Sequence, residues 1–312
     1  LKVAIFLGAI WFVYTTVVAE ENSQGVWIHF KDSFSKGGWW MVLVAFLLLF
    51  VNWGIEGYKW KRLMDKEYKI SLTVAFKAAF AGNATGAFTP NRIGGFVGRV
   101  MYLPKEQVLT GTLNTFVGNL AQFLSTIIFG IISAIAIQWI PINIGKFNNL
   151  DFEPWIPALI FGFIGFIFLH IYFFADAWLT VLFKFKVMRK WKEKFQFLAR
   201  HSKQLLAEVL LLSLIRYLVF AVQFYLILLF FSVQVDFLIC LVLIGYLYLV
   251  ITLIPTMFGK LGVREGAACV IFSAFSPSFL ITTMSSLLLW MINVAIAALI
   301  GAVLVLFIKK RG

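Results

Sequence analysis

VLTGTLNTFVGNLAQFLSTIIFGIISAIAIQWI, residues 108–140, decides the fold. No residue from Val108 to Ile140 carries a charge. About 20 apolar residues cross a bilayer as a helix, and this run is longer, so it reads as a tilted or kinked transmembrane helix. It is not uniformly apolar. Gly111, Thr115, Gly118, Gln122 and Ser125 recur at spacings of 4, 3, 4 and 3, which places them on one helical face, with Asn114 and Asn119 beside it. Such a face either packs closely on a neighbour through its small residues, with amides bonding between helices, or forms one wall of a polar cavity. Close packing is the plainer reading.

Similar runs flank it at 2–19, 39–55, 72–88, 155–183, 205–231, 237–254, 263–275 and 279–308. Of the 312 residues 62% are hydrophobic and only 13% are charged, with a mean hydropathy of +0.93. Soluble domains carry about 25% charged residues, so lipid is the solvent of this chain. The first run lacks a small-residue cleavage site and reads as a retained span. Cys240 and Cys269 lie inside apolar segments and read as buried packing residues.

The net charge of +13 in a soluble protein would point to nucleic acid. Here the basic residues sit between apolar runs and report topology instead, so no nucleic-acid partner is expected. Lys59, Lys61, Arg62, Lys66 and Lys69 fill one loop, and eight more Lys and Arg fill the loop 184–204. Lys309, Lys310 and Arg311 close the chain. Loops 20–37 and 141–154 carry only Lys31, Lys36 and Lys146. The rich side is expected to be cytoplasmic, with both termini on it, in a cytoplasmic (inner) membrane. Loop 184–204 also interleaves Phe185, Trp191, Phe195 and Phe197, the pattern of an interfacial helix on anionic headgroups.

This orientation makes segment 72–103 enter and leave on the cytoplasmic side, and segment 237–275 on the other. Each fits either a full helix pair or a re-entrant hairpin, and their short, broken runs favour hairpins. The expectation is a single all-α polytopic membrane domain over residues 1–312. It has about six full spans plus two broken or re-entrant helical hairpins, arranged as an inverted repeat.

Both hairpins carry a Gly/Pro passage with charge. Residues 82–99 read GNATGAFTPNRIGGFVGR, and residues 254–266 read IPTMFGKLGVREG. Pro90, Gly94, Phe96 and Arg99 match Pro255, Gly259, Leu261 and Arg264 in a Pro-x3-Gly-x-apolar-x2-Arg pattern. Proline breaks a helix and glycine permits positive φ, so Pro90, Gly94, Pro255, Gly259 and Gly262 are the expected helix breaks. Backbone groups freed by a break must face protein or a wet cavity. A half-helix starting there aims its amides at an anion. Arg92, Arg99, Lys260 and Arg264, with Arg216, Asn83 and Asn91, are therefore the expected ligands of a lipid phosphate. Glu265 is a partner for Arg264 or a proton carrier. The plain alternative is a pair of exposed turns with snorkelling arginines, Glu265 merely neutralising Arg264. Arg216 either snorkels or completes the phosphate site. Glu56, four residues after Asn52 and three before Lys59, reads as a helix-end ion pair with Lys59 rather than a cavity residue.

Pro90-Asn91-Arg92-Ile93-Gly94 resembles the Pro-x-Arg-x-Gly motif of the lysylphosphatidylglycerol synthase transmembrane-domain family, also called the flippase-like domain. Leu261-Gly262-Val263-Arg264-Glu265-Gly266 resembles its second signature. The resemblance spans essentially the whole chain. It implies a membrane protein that handles anionic or glycosylated lipids. Gly95 stands where the family often has Glu, and Lys260 where Gly is common. The aminoacyl-transferase domain of the synthases is absent from this sequence, so lysyl transfer is not expected.

Three functions follow as expectations. The first is a flippase-like transporter or binder of an anionic, phosphate-bearing lipid or lipid-linked sugar. The second is a membrane-embedded enzyme, or enzyme subunit, modifying a lipid-linked sugar. The third is a structural partner of a separate glycosyltransferase or a homo-oligomer. The sequence has no P-loop, no GxSxG, no HExxH and no His/Cys cluster, so neither an ATPase drive, a cofactor nor a metal is expected.

Overall fold

The computed structural model describes residues 28, 30–87, 89, 93–140, 155–185, 189, 192–195, 201–253, 262–276 and 278–308. The expected first span 2–19, the loop 141–154, and Phe88, Pro90, Asn91, Arg92, Pro255, Gly259 and Lys260 lie outside them. All regular structure among the described residues is helical. The helices are α1 (Trp39–Met64), α2 (Leu72–Ala87), α3 (Gly94–Val100), α4 (Val108–Ala136), α5 (Trp155–Phe173), α6 (Ala175–Leu182), α7 (Lys203–Phe230), α8 (Phe237–Leu253), α9 (Val263–Ile271), α10 (Phe279–Trp290) and α11 (Ala297–Leu306). A π-helix, Met291–Ile296, joins the last two into one rod.

Four helices are long and apolar enough to cross a membrane: Phe30–Met64, Lys105–Trp139, Lys203–Phe230 and Phe279–Leu306. A fifth arises if α5 and α6 count as one span. The described residues thus supply four or five candidate spans where six were expected.

The run 155–183 departs from its reading as one apolar stretch. It turns by 88° between α5 and α6. Phe174 leaves the helical region at φ −124°, ψ 40°, and Asp176 opens the next helix. Across the bend, Trp178 Nε1 donates to His170 Nδ1 at 2.9 Å, while the His170 ring stacks on Phe174. A polar clip inside an apolar run fixes the corner.

α7 is the hub. It packs against α1, α4 and α10, and its Phe224, Ile227 and Leu228 belong to the main apolar core with Leu49 and Trp53 of α1, Phe80 of α2 and Leu243 of α8. Ser202 starts α7 by accepting from the Leu205 amide at 3.2 Å. Just before it, His201 is buried against Asn114, its Nε2 lying 2.8 Å from Oδ1. Burial lowers its pKa to about 4, so it sits neutral against the N-terminal part of α4. Cys240 and Cys269 are both free and buried.

The segment 72–103 forms a helix pair of unequal arms, 16 residues in α2 and 7 in α3. At 1.5 Å per residue the shorter arm reaches about 10 Å, far less than a bilayer needs. The glycines let the arms touch. A Cβ at Gly98 would fall 2.3 Å from the Ala81 carbonyl oxygen and 2.3 Å from Thr85 Oγ1, and one at Gly94 would fall 2.3 Å from the Thr85 carbonyl. Thr85 Oγ1 then donates to the Gly94 carbonyl at 2.7 Å. Gly98→Ala should force α3 off α2, because backbone cannot yield as a flexible side chain can. The expected loss is about 1–3 kcal/mol, read as a lower unfolding midpoint in detergent. An unchanged midpoint would show that the arms are not locked.

In the segment 237–275, α9 has only 9 residues and is preceded by Gly262, whose φ of 80° an L side chain rarely adopts. The matched arginines of the two passages occupy opposite helix ends. Arg99 is in the last turn of α3, and Arg264 in the first turn of α9. At these two arginines the shared sequence pattern does not correspond to the same place in a helix.

Candidate functional site

Asn52, Glu56 and Lys59 follow one another at helical spacing on α1, so all three face the same way. Glu56 is almost completely buried, and three cations converge on it. Lys59 Nζ lies 3.0 Å from Oε2. Arg99 Nη2 of α3 donates to Oε1 at 2.5 Å. Arg216 Nη1 of α7 donates to Oε2 at 2.9 Å. The helix-end ion pair foreseen for Glu56 and Lys59 exists, but it is neither at a helix end nor alone.

Arg216 lies near the middle of the 28-residue α7, and its guanidinium is held inside the bundle rather than extended to an end of the helix. Its Nε donates to Asn52 Oδ1 at 2.6 Å, and Nη1 also donates to Gln122 Oε1 at 3.1 Å. Its guanidinium sits 5.3 Å from the Trp53 ring centroid, over the ring face, a geometry that stabilises a desolvated cation. Gln122 is aimed by a second bond, Nε2 donating to Ser125 Oγ at 3.0 Å. Lys59 lies behind, with Nζ 3.5 Å from the Gly118 carbonyl. One carboxylate against three cations leaves a formal surplus of two positive charges, and no metal-type acid cluster is found among the described residues.

Beside this cluster lies a cavity of about 470 Å³. Its walls are Trp53 and Glu56 of α1, Gly82 and Asn83 of α2, and Gly95, Phe96 and Arg99 of α3. Thr115, Asn119, Gln122, Phe123 and Thr126 of α4, Arg216 of α7 and Thr252 of α8 complete them. The polar face of residues 108–140 thus serves two ends. Gly111 and Gly130 take close contacts from Leu103 and Leu249, while Thr115 and Gln122 line the cavity.

Asn83 reaches the cavity wall but also donates Nδ2 to the Val294 carbonyl at 3.0 Å. Trp53 Nε1 donates to the neighbouring Asn293 carbonyl at 3.2 Å. Both carbonyls belong to the π-helix, whose wide turn leaves acceptors that α1 and α2 satisfy.

Arg264 and Glu265 are not part of this cavity. Arg264 Nη2 donates to Glu265 Oε1, and its Nε donates to Ser286 Oγ at 2.8 Å on α10. Glu265 Oε2 accepts from the Gly262 amide at 2.6 Å. Both side chains are buried, so this pair closes the start of α9 and pins it to α10. Of the expected ligands, the structure brings Arg99, Arg216 and Asn83 to one cavity and sets Arg264 apart. Arg92, Asn91 and Lys260 are outside the described residues. Glu56, Asn52, Lys59 and Gln122 were not among the expected ligands. Their signal was the helical spacing of Asn52, Glu56 and Lys59 in a segment that otherwise crosses lipid.

The family model described as lysylphosphatidylglycerol synthase TM region matches residues 1–301. No curated protein and no solved structure matches the chain.

Proposed function

The chain belongs to the lysylphosphatidylglycerol synthase TM region family, and on that premise we propose that its cavity receives the phosphate of an anionic membrane lipid. The family makes it a multi-pass membrane protein linked to lipid handling. The observation that carries the finer reading is the gathering of Arg99 and Arg216 on one buried carboxylate, with positive charge to spare. Such groups are costly inside a membrane and sit there to meet a charge of opposite sign. Preorganised guanidiniums then bind phosphate without first being ordered.

In this reading α3 and α9 are the short arms of re-entrant hairpins, both termini are cytoplasmic, and the lipid moves between leaflets past the hairpin tips. A lipid-modifying enzyme is the weaker alternative. Glu56 is the only carboxylate among the described residues of the cavity's walls, and three cations hold it, which makes it a poor proton acceptor.

The test is a vesicle assay with acyl-chain-labelled lipids, read by quenching of the outer leaflet. Labelled phosphatidylglycerol should change leaflet in proteoliposomes, and Arg99→Ala should slow this by about tenfold or more, the loss of one charge-assisted contact. Equal movement of labelled phosphatidylcholine, or an unaffected Arg99→Ala, would overturn the proposal.

A further inference from the structure

We infer that the cavity selects a phosphate bearing two negative charges, a monoester or a terminal diphosphate, over the singly charged phosphodiester of ordinary phospholipids. This rests on the reading of the cavity as a lipid-phosphate site and names its ligand class. The first ground is charge. One carboxylate, Glu56, is shared by Lys59, Arg99 and Arg216, so the cluster holds a formal surplus of two positive charges, and Arg99 and Arg216 present theirs at the cavity wall. A phosphodiester cancels one of them, and a monoester near pH 7.5 carries nearly two charges.

The second ground is donor count. Glu56, Asn52 and Gln122 use Arg99 Nη2, Arg216 Nε and Arg216 Nη1. Arg99 Nε and Nη1 and Arg216 Nη2 have no hydrogen-bond partner among the described residues. Those donors, from two separate guanidiniums, suit the three equivalent oxygens of a monoester. A diester has only two free oxygens to offer.

The third ground is what the cavity lacks. An ammonium-bearing headgroup needs an acid or an open aromatic face. Glu56, the one acid among the described walls, is held by three cations, and the Trp53 face is taken by Arg216, which leaves only the weaker faces of Phe96 and Phe123. Zwitterionic lipids, and an aminoacylated phosphatidylglycerol with its two ammonium groups, therefore bring charge that the walls repel.

The experiment measures binding to the full-length protein in neutral detergent at pH 7.5. The probes are dioctanoyl phosphatidic acid, dioctanoyl phosphatidylglycerol, dioctanoyl phosphatidylethanolamine, lysylphosphatidylglycerol and glycerol 3-phosphate. Phosphatidic acid should bind at least tenfold tighter than phosphatidylglycerol, with the two amine lipids weaker still. Arg216→Gln should bring the ratio of the first two close to one. Arg216→Lys, which keeps the charge and the fold while losing the planar donors, should keep part of it. Equal binding of phosphatidic acid and phosphatidylglycerol, both weakened in Arg99→Gln, overturns this inference and leaves the anionic-lipid reading standing. Tightest binding of lysylphosphatidylglycerol overturns it too. No binding by either anionic lipid overturns both. Glycerol 3-phosphate binding as tightly as phosphatidic acid supports the doubly charged ligand and overturns its lipid origin.

Discussion

Glu56→Ala is expected to destabilise the protein by about 3–5 kcal/mol, the cost of removing one partner from a buried ionic cluster. The substitution takes away the only acid that Lys59, Arg99 and Arg216 contact among the described residues, and leaves three buried cations facing one another. At this chain length such a loss lowers the unfolding midpoint by on the order of 10 °C. Glu56→Gln should do nearly as much harm, since it keeps the shape but not the charge. Pairing it with Lys59→Met should restore part of the midpoint, because one of the stranded cations leaves with the acid. The measurement is thermal unfolding of detergent-solubilised protein. A midpoint within a degree or two of the parent for Glu56→Ala would mean that the cluster does not exist in the folded state.

Arg216→Ala and Arg264→Ala should separate binding from folding. Removing Arg216 leaves Glu56 still compensated by Lys59 and Arg99, so the fold survives at modest cost. What disappears is a cavity cation with a free Nη2. The loss of one such charge-assisted contact, about 1.5–3 kcal/mol, weakens an anionic ligand by roughly 10- to 100-fold. Removing Arg264 instead strands Glu265, which is fully buried at the start of α9. Yield and midpoint should fall, while binding per folded molecule stays near the parent. If Arg264→Ala abolishes binding in material that is still folded, the site has been placed in the wrong hairpin.

That contrast marks what could be read from the sequence. The membrane character and helical class are properties of composition and run length, which local reading captures. Arg99 and Arg216 stand out because a charge inside an apolar run is visible wherever its partner lies. The cluster itself is not visible in the same way. Glu56 finds Arg99 at a separation of 43 residues and Arg216 at 160, and only packing of α7 on α1, and of α3 on α2 and α4, brings them together. Seen locally, Glu56 has a sufficient partner in Lys59, so nothing called for more. The Gly-rich passage 82–98 was legible as special, but its glycines also serve contact between α2 and α3, which depends on a neighbour that sequence does not show. The corner at Phe174 was hidden because an apolar run looks the same straight or bent.

The pairing of Glu56 with Lys59 also bears on biogenesis. Chains are inserted as they are made, and α1 must enter lipid before α3 and α7 have been synthesised. A lone carboxylate at that depth resists insertion. With Lys59 one turn further on and 3.0 Å away, α1 carries the counter-ion of its buried acid with it, and its remaining charges, Lys61 and Arg62, lie in its last turn. Arg99 and Arg216 arrive later and dock on an acid already in place. The local pair thus acts first as a passport for one helix and only afterwards as the back wall of the cavity.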